Sequence, residues 1–434
     1  MKRKNFYSMI LAIFMVAMMP GNNICAQGEL YAGGTGTFDD PYQIATPEQF
    51  DNIRDNRSAY FQLIADLDFT GFTTKVDTSS WVPIGIIGEE DWALQTNPLT
   101  FTGSLDGNHY TIRNLHIANA NYQNSLLGAC AFATVKNLAM EDCSSTAGNS
   151  NNAMVASYTA DCTFDQVATI NCNVDGTVGW YVGGVVARPW RTVFTNIYAA
   201  GGFVKADAAV GGLFGYLEEG SSASFCYSSS AVMATRAVGG LIGGYWGGSI
   251  QNCVALGDSV NSAQTSVGRI LGEEWDYGTQ GNNFALETMT INDTLVTLTG
   301  ASTNHGENIT LDQAKSVSFW LESPGFAIDP EDEPVWAIDP AVSDFPIFSW
   351  LVITGIHSQK QEIDNYKAYA VPEGLFIEGL KAGDKIEVFD LSGALIGQYN
   401  ATSASKTIPV SRSGIYLVKV LSGYQSAALK VLTY

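Results

Sequence analysis

Short apolar runs recur at a fixed interval along the middle of the chain, separated by stretches rich in Gly, Ser and Asn. Val182-Gly183-Gly184-Val185-Val186 returns as Val210-Gly211-Gly212-Leu213-Phe214-Gly215 and Val238-Gly239-Gly240-Leu241-Ile242-Gly243, then as Val267-Gly268-Arg269-Ile270-Leu271-Gly272. The first glycines stand 28, 28 and 29 residues apart. Weaker copies lie upstream at Asn124-Ser125-Leu126-Leu127-Gly128 and Asn152-Ala153-Met154-Val155-Ala156. A second run keeps step with the first: Val135-Lys136-Asn137-Leu138, Phe164-Asp165-Gln166-Val167, Phe194-Thr195-Asn196-Ile197-Tyr198, Ala223-Ser224-Phe225-Cys226-Tyr227 and Ile250-Gln251-Asn252-Cys253-Val254. Neither run is long enough for a helix, and both read as β-strands bounded by turns.

One such unit cannot bury its own apolar face, whereas units stacked in register bury a continuous interior. The pattern therefore predicts an all-β fold whose body is a right-handed parallel β-helix, each coil rising about 4.8 Å on the next. In it the glycines would serve sharp corners with positive φ and close approach of neighbouring backbones. A phosphate-cradling loop fails as a rival, because the pattern recurs every coil and no Gly-Lys-Ser/Thr follows. Thr46-Pro47-Glu48-Gln49 and Thr310-Leu311-Asp312-Gln313 read as capping boxes. They open short helices suited to cover the strand edges at the two ends of a solenoid, the first with Phe50 and Ile53 inward, the second before Val317 and Trp320.

After Ile356 a polar linker leads into alternating segments, Leu375-Phe376-Ile377, Lys385–Asp390 and Gly414–Val420, which predict a small β-sandwich. The resulting division is a leader at 1–26, an N-terminal cap with the first coils at 27–120, repeats at 121–295, a C-terminal cap of the solenoid at 296–355 and the sandwich at 356–434.

Lys2, Arg3 and Lys4 precede an apolar run from Met9 to Met19, with small Ala26 ahead of Gln27, the pattern of a secretory signal cleaved near Ala26. Ile24 and Asn23 are poor lipobox neighbours for a lipidated Cys25. The run is too short to span a bilayer and no later stretch reaches that length. Lys and Arg total 22 against 43 Asp and Glu, a formal charge of -21, which repels phosphate backbones and anionic headgroups and excludes nucleic acid as a partner. Six cysteines follow the leader, with Cys143/Cys172 and Cys226/Cys253 roughly one period apart. Stacked buried thiols and disulfides both fit that spacing. No C-x-x-C pair supports zinc or thioredoxin-like chemistry.

Three segments, Gly36–Tyr42, Leu63–Phe69 and Trp81–Gly85, precede Phe101-Thr102-Gly103-Ser104-Leu105-Asp106-Gly107-Asn108-His109-Tyr110. Together with the Val-Gly-Gly-Leu-Phe-Gly units they resemble the GLUG-repeat surface proteins of bacteria, whose repeats are similar to β-helical segments of adhesins and immunoglobulin-A metalloproteases. The resemblance covers roughly residues 31–350. It implies an adhesin-like solenoid at the cell surface or outside the cell, with glycan or a host surface protein as partner. The proteases' catalytic part is not implied, because no H-E-x-x-H occurs and His109, His116, His305 and His357 are scattered. Arg269 departs from the repeat by replacing its second glycine. Asp390-Leu391-Ser392-Gly393 with Ser413-Gly414-Ile415-Tyr416 is similar to the sorting domains of the type IX secretion system of Bacteroidetes, with Val371-Pro372-Glu373 where their Asn-Pro opening stands.

Acidic clusters at Asp66/Asp68, Glu218/Glu219, Glu273/Glu274 and Glu331-Asp332-Glu333 read first as solvated turns. Calcium binding there is the minor alternative, and no other cofactor is expected. No nucleophile elbow is present, so an enzymatic role rests on no named residues. Seven residues past the first glycine of each unit come Trp190, Glu218, Trp246 and Trp275, with Tyr216 and Tyr245 within two positions of that column. Presented outward, these indoles offer stacking surface to sugar rings or a partner's apolar patch; turned inward, they close a turn over the core. A carbohydrate-active β-helix enzyme and a purely structural envelope protein are the alternatives to an adhesin.

Overall fold

The computed structural model describes residues 30–352, except 78–79, 86–95, 119–122, 147–149, 265, 277, 329–333 and 341, and residues 367–433, except 372–373, 391–394, 411–413 and 423–424. The leader, Cys25, the polar linker, the Glu331–Glu333 cluster, Leu391–Gly393 and Ser413 lie outside the described residues. The chain divides into two units, 1–313 with 323–325, and 314–322 with 326–434.

The first unit is a parallel β-helix. Its first face is a 14-stranded sheet running from Tyr42–Ile44 through Ser104–Arg113, Thr134–Glu141, Thr163–Ile170 and Val193–Ala200 to Glu307–Ile309. A second, 10-stranded sheet holds Phe203–Gly211 and Ala231–Gly239, and a third of six strands runs from Leu127–Ala131 to Leu271–Asp276. Pairing between coils is parallel and nearly in register: Phe164 lies beside Val135 and Phe194, and Val182, Val210, Val238 and Val267 form one row. Like side chains therefore stack through the core, as with the Phe164–Phe194 rings at 5.2 Å and the parallel Tyr198–Tyr227 rings at 5.1 Å.

Of the two causes expected for the repeat glycines, close approach of neighbouring backbones holds and positive φ does not. None of Gly183, Gly184, Gly211, Gly212, Gly239 and Gly240 has a positive φ. They sit where one coil's backbone presses on the next: a Cβ on Gly184 would lie 2.1 Å from the Gly212 carbonyl oxygen, and one on Gly212 2.3 Å from that of Gly240. One column of left-handed corners falls instead to Asn137, Gln166, Asn196, Phe225, Asn252 and Asn282, with φ between 52° and 58°. Several of these amides donate to the preceding coil, Asn196 to Asp165 at 2.9 Å and Asn282 to Asn252 at 2.8 Å. Asparagine tolerates this conformation better than other side chains, and here its amide also ties the coils together.

Arg269 now has a reason. Gly184, Gly212 and Gly240 each lie under a further coil, and a Cβ on Gly240 would meet the Arg269 carbonyl oxygen at 2.1 Å. At 269 a side chain fits. It is fully buried and donates to the carbonyl oxygens of Leu286 (2.8 Å) and His305 (2.9 Å) and to Asn308 Oδ1 (2.7 Å). The guanidinium thus satisfies acceptors that another coil would otherwise meet. Both capping boxes form, Gln49 N donating to Thr46 Oγ1 at 3.3 Å and Gln313 N to Thr310 Oγ1 at 3.1 Å; Phe50 and Ile53 are buried.

The second unit carries a two-stranded antiparallel sheet, Trp336–Ala337 with Ile347–Phe348, and two larger antiparallel sheets. One of the larger two joins Lys367–Val371, Gly374–Glu378 and Ser405–Ile408; the other joins Leu395–Asn400, Lys385–Asp390, Gly414–Ser422 and Gln425–Thr433. Leu375, Ile377 and Ile408 of the first share one buried cluster with Ile386, Val388 and Val418 of the second, so the two sheets form a sandwich.

Candidate functional site

The column predicted from the glycine spacing divides on the third sheet. Trp246 is 56% exposed and Trp275 49%, whereas Tyr216 is 2% and Tyr245 1% exposed. Neighbouring residues of a strand face opposite ways, which separates Tyr245 from Trp246. The Tyr245 hydroxyl lies 3.3 Å from Glu274 Oε1, and burial pushes its pKa up to about 12. Trp190 is half-buried against Ala129, Ala131 and Ala160, and the Arg191 guanidinium covers its ring at 3.5 Å while pairing with Asp161. Trp275 stands at a register shift, since Tyr245 pairs with Glu274 but Trp246 with Asp276.

That shift turns Trp275 towards Tyr216, with ring centroids 5.2 Å apart. Gly244 lies between Tyr216 and Glu273 in the strand register and leaves no side chain in the way. From Tyr216 the ring contacts continue to Tyr181 at 5.1 Å and on to Trp180 at 6.3 Å, itself 41% exposed. Two arginines belong to the same patch. Arg188 sits 4.9 Å from the Tyr181 ring and 5.8 Å from that of Tyr158, and it is ion-paired with Glu218. Arg236 lies 4.5 Å over the Trp180 ring. The Tyr216 hydroxyl is buried here without a hydrogen-bond partner, and burial raises its pKa. Half-exposed indoles on a bed of tyrosine rings, flanked by guanidinium and carboxylate groups, can stack on a flat apolar ligand face and bond to its polar rim.

Of the described acidic clusters, Asp66 and Asp68 are held by hydrogen bonds and ion pairs, while Glu218 pairs with Arg188 and Glu274 accepts from Tyr245. Asp66 and Glu141 both pair with Arg113, at 2.8 and 2.7 Å, and Asp68 accepts from Thr70 and Asn114, bonds that hold its carboxyl below the usual range. Among the described residues no three His, Cys, Asp or Glu side chains converge as a metal-ligand set.

No protein-family model matches the chain. A crystal structure from Bacteroides ovatus, carrying the provisional name immunoglobulin A1 protease, superposes with a TM-score of 0.58 at 21% sequence identity, covering 74% of this chain and 96% of that one. The likeness is one of fold. A protein of Evansella cellulosilytica, provisionally named a Gly-rich membrane protein, is 31% identical over 114 residues, 26% of this chain. The halomucin of Haloquadratum walsbyi is 30% identical over 159 residues, 36% of this chain. The chain spans only 12% and 2% of the lengths of these two relatives. Among the described residues no helix is long and apolar enough to cross a membrane.

Trp180, Tyr181, Arg188 and Arg236 are absent from the sequence-derived column, although the period contains a pointer to them. Trp180, Ala208 and Arg236 stand in one strand register on successive coils, each three residues before the first repeat glycine. The small Ala208 between them lets Arg236 reach Trp180.

Proposed function

We propose that this protein is a surface-displayed, adhesin-like β-helix that binds glycan chains through an aromatic patch that spans its second and third sheets. The exposure of Trp246, Trp275 and Trp180 carries this reading. Large indoles left half in water on an otherwise well-packed solenoid lose burial energy without a fold-level return, and stacking on sugar rings supplies one. The fold shared with the Bacteroides ovatus protein, the segmental likeness to halomucin and the leader-like N-terminus support display outside the cell. The GLUG-like repeats and the sorting-domain-like sandwich fit the same address.

The test is a glycan array and a mucin-binding assay with the purified protein and its Trp246→Ala and Trp275→Ala variants. Each substitution is expected to weaken binding roughly tenfold, equivalent to ~1.4 kcal/mol, with the melting temperature unchanged. Full binding by both well-folded variants would reject the patch as the contact surface. Release of reducing ends from the bound glycans would instead move the reading to an enzyme.

A further inference from the structure

Arg236 differs from every other described arginine. Arg54, Arg113, Arg188 and Arg191 pair with carboxylates, and Arg57 and Arg269 donate to backbone carbonyl oxygens. Arg236 is half-buried, stacks on the exposed Trp180 ring, and among the described residues has neither a hydrogen bond nor an ion pair. In a chain with 43 acidic residues against 22 basic ones, a guanidinium without a carboxylate is the uncommon arrangement. Burying part of its solvation shell costs free energy that an anionic partner would restore.

We propose that Arg236 and Trp180 form an acid-sugar subsite, in which the guanidinium binds the carboxylate of a uronic- or sialic-type residue while a pyranose face lies on the indole. The inference rests on the glycan-binding reading and names the ligand class within it. Geometry suits the pairing, because a guanidinium fork presents two parallel donors to a carboxylate. The overall field sets the type of ligand. At -21 the protein repels densely charged polymers over long range, while charges more than about 8 Å apart are largely screened at physiological salt. A glycan with an isolated carboxylate between neutral sugars meets the local attraction without the full repulsion.

The test uses glycan pairs that differ only in that carboxylate: sialylated against desialylated mucin glycans, and a uronate oligosaccharide against its carboxyl-reduced form. The protein is expected to bind the acidic member about tenfold more tightly. Arg236→Gln should abolish that preference, and Arg236→Lys should keep part of it. Equal binding of both members by the unaltered protein, or a preference that survives Arg236→Gln in a folded variant, overturns the subsite while leaving glycan binding standing. Binding of neither member overturns the glycan reading itself.

Discussion

A Cβ on Gly212 would approach the Gly240 carbonyl oxygen to 2.3 Å and the Ser228 hydroxyl to 2.4 Å, and the backbone it meets cannot step aside without breaking the ladder. Gly212→Ala should therefore destabilise the protein by about 3 kcal/mol, the upper end of overpacking costs. Gly281 has open space around its missing Cβ and an ordinary φ, so Gly281→Ala should be neutral or stabilise by about 0.5 kcal/mol. Urea titration of the pair measures the contrast; equal effects would show that the coils are not held at the observed spacing. Arg269 is the complementary case. Its burial lowers the guanidinium pKa to about 10, still charged at neutral pH. Arg269→Ala leaves the Leu286 and His305 carbonyl oxygens without their donor, a loss of about 3 kcal/mol in the same titration. The sequence displayed Arg269 as a broken repeat, but its reason depends on which coil is the last complete one, and no local pattern states that.

At the scale of strands and coils, the period was legible because stacking repeats the same packing problem every ~28 residues, and the sequence solves it with the same residue types. The cysteine columns follow from it. All six are free and buried, Cys143 beside Cys172 and Cys226 beside Cys253 in the strand register. Burial pushes the Cys130, Cys172 and Cys226 thiols well up and that of Cys162 to about 12. None of the six should react with a thiol reagent in the native protein and all six should react after unfolding, with dithiothreitol leaving the melting temperature unchanged. A shift in melting temperature on reduction would reveal disulfides. The candidate patch was legible only in part. Counting forward from the glycines found Trp246 and Trp275, but placing Tyr216 and Tyr245 required knowing which way each strand residue faces, and a register shift at Tyr245 cannot be counted. The positive-φ role was misassigned to the repeat glycines, because one corner column uses Asn137, Gln166, Asn196, Phe225 and Asn252, and the left-handed glycines, such as Gly201, Gly202, Gly220 and Gly247, lie outside the repeat motif.

Across the whole molecule, two kinds of charge set the response to solution conditions. His109 and His305 are both held below the ordinary imidazole value of 6.5, chiefly by burial, with Arg269 adding to the effect at His305. The unfolded chain therefore takes up these protons first. Their contribution to stability is present above about pH 6.5 and is lost progressively as pH falls from there through the lower folded-state values. Salt acts in the other direction. Most described cations of the first unit are committed to ion pairs, so the excess of 43 acidic over 22 basic residues is left as mutual repulsion across the surface. Raising the ionic strength from 0.01 M to 0.1 M shortens the screening length from about 30 to 10 Å. That weakens repulsion between distant carboxylates more than attraction within ion pairs at contact distance. Each kcal/mol of repulsion relieved should raise the melting temperature by about 2–4 °C, taking the scaling for domains of 150–250 residues. Melting followed across that salt series at pH 7.5, where both imidazoles are neutral, isolates the effect. A melting temperature that falls with added salt would mean that attraction within the ion-pair ladders, such as Asp175–Lys205 and Asp161–Arg191, outweighs the net charge.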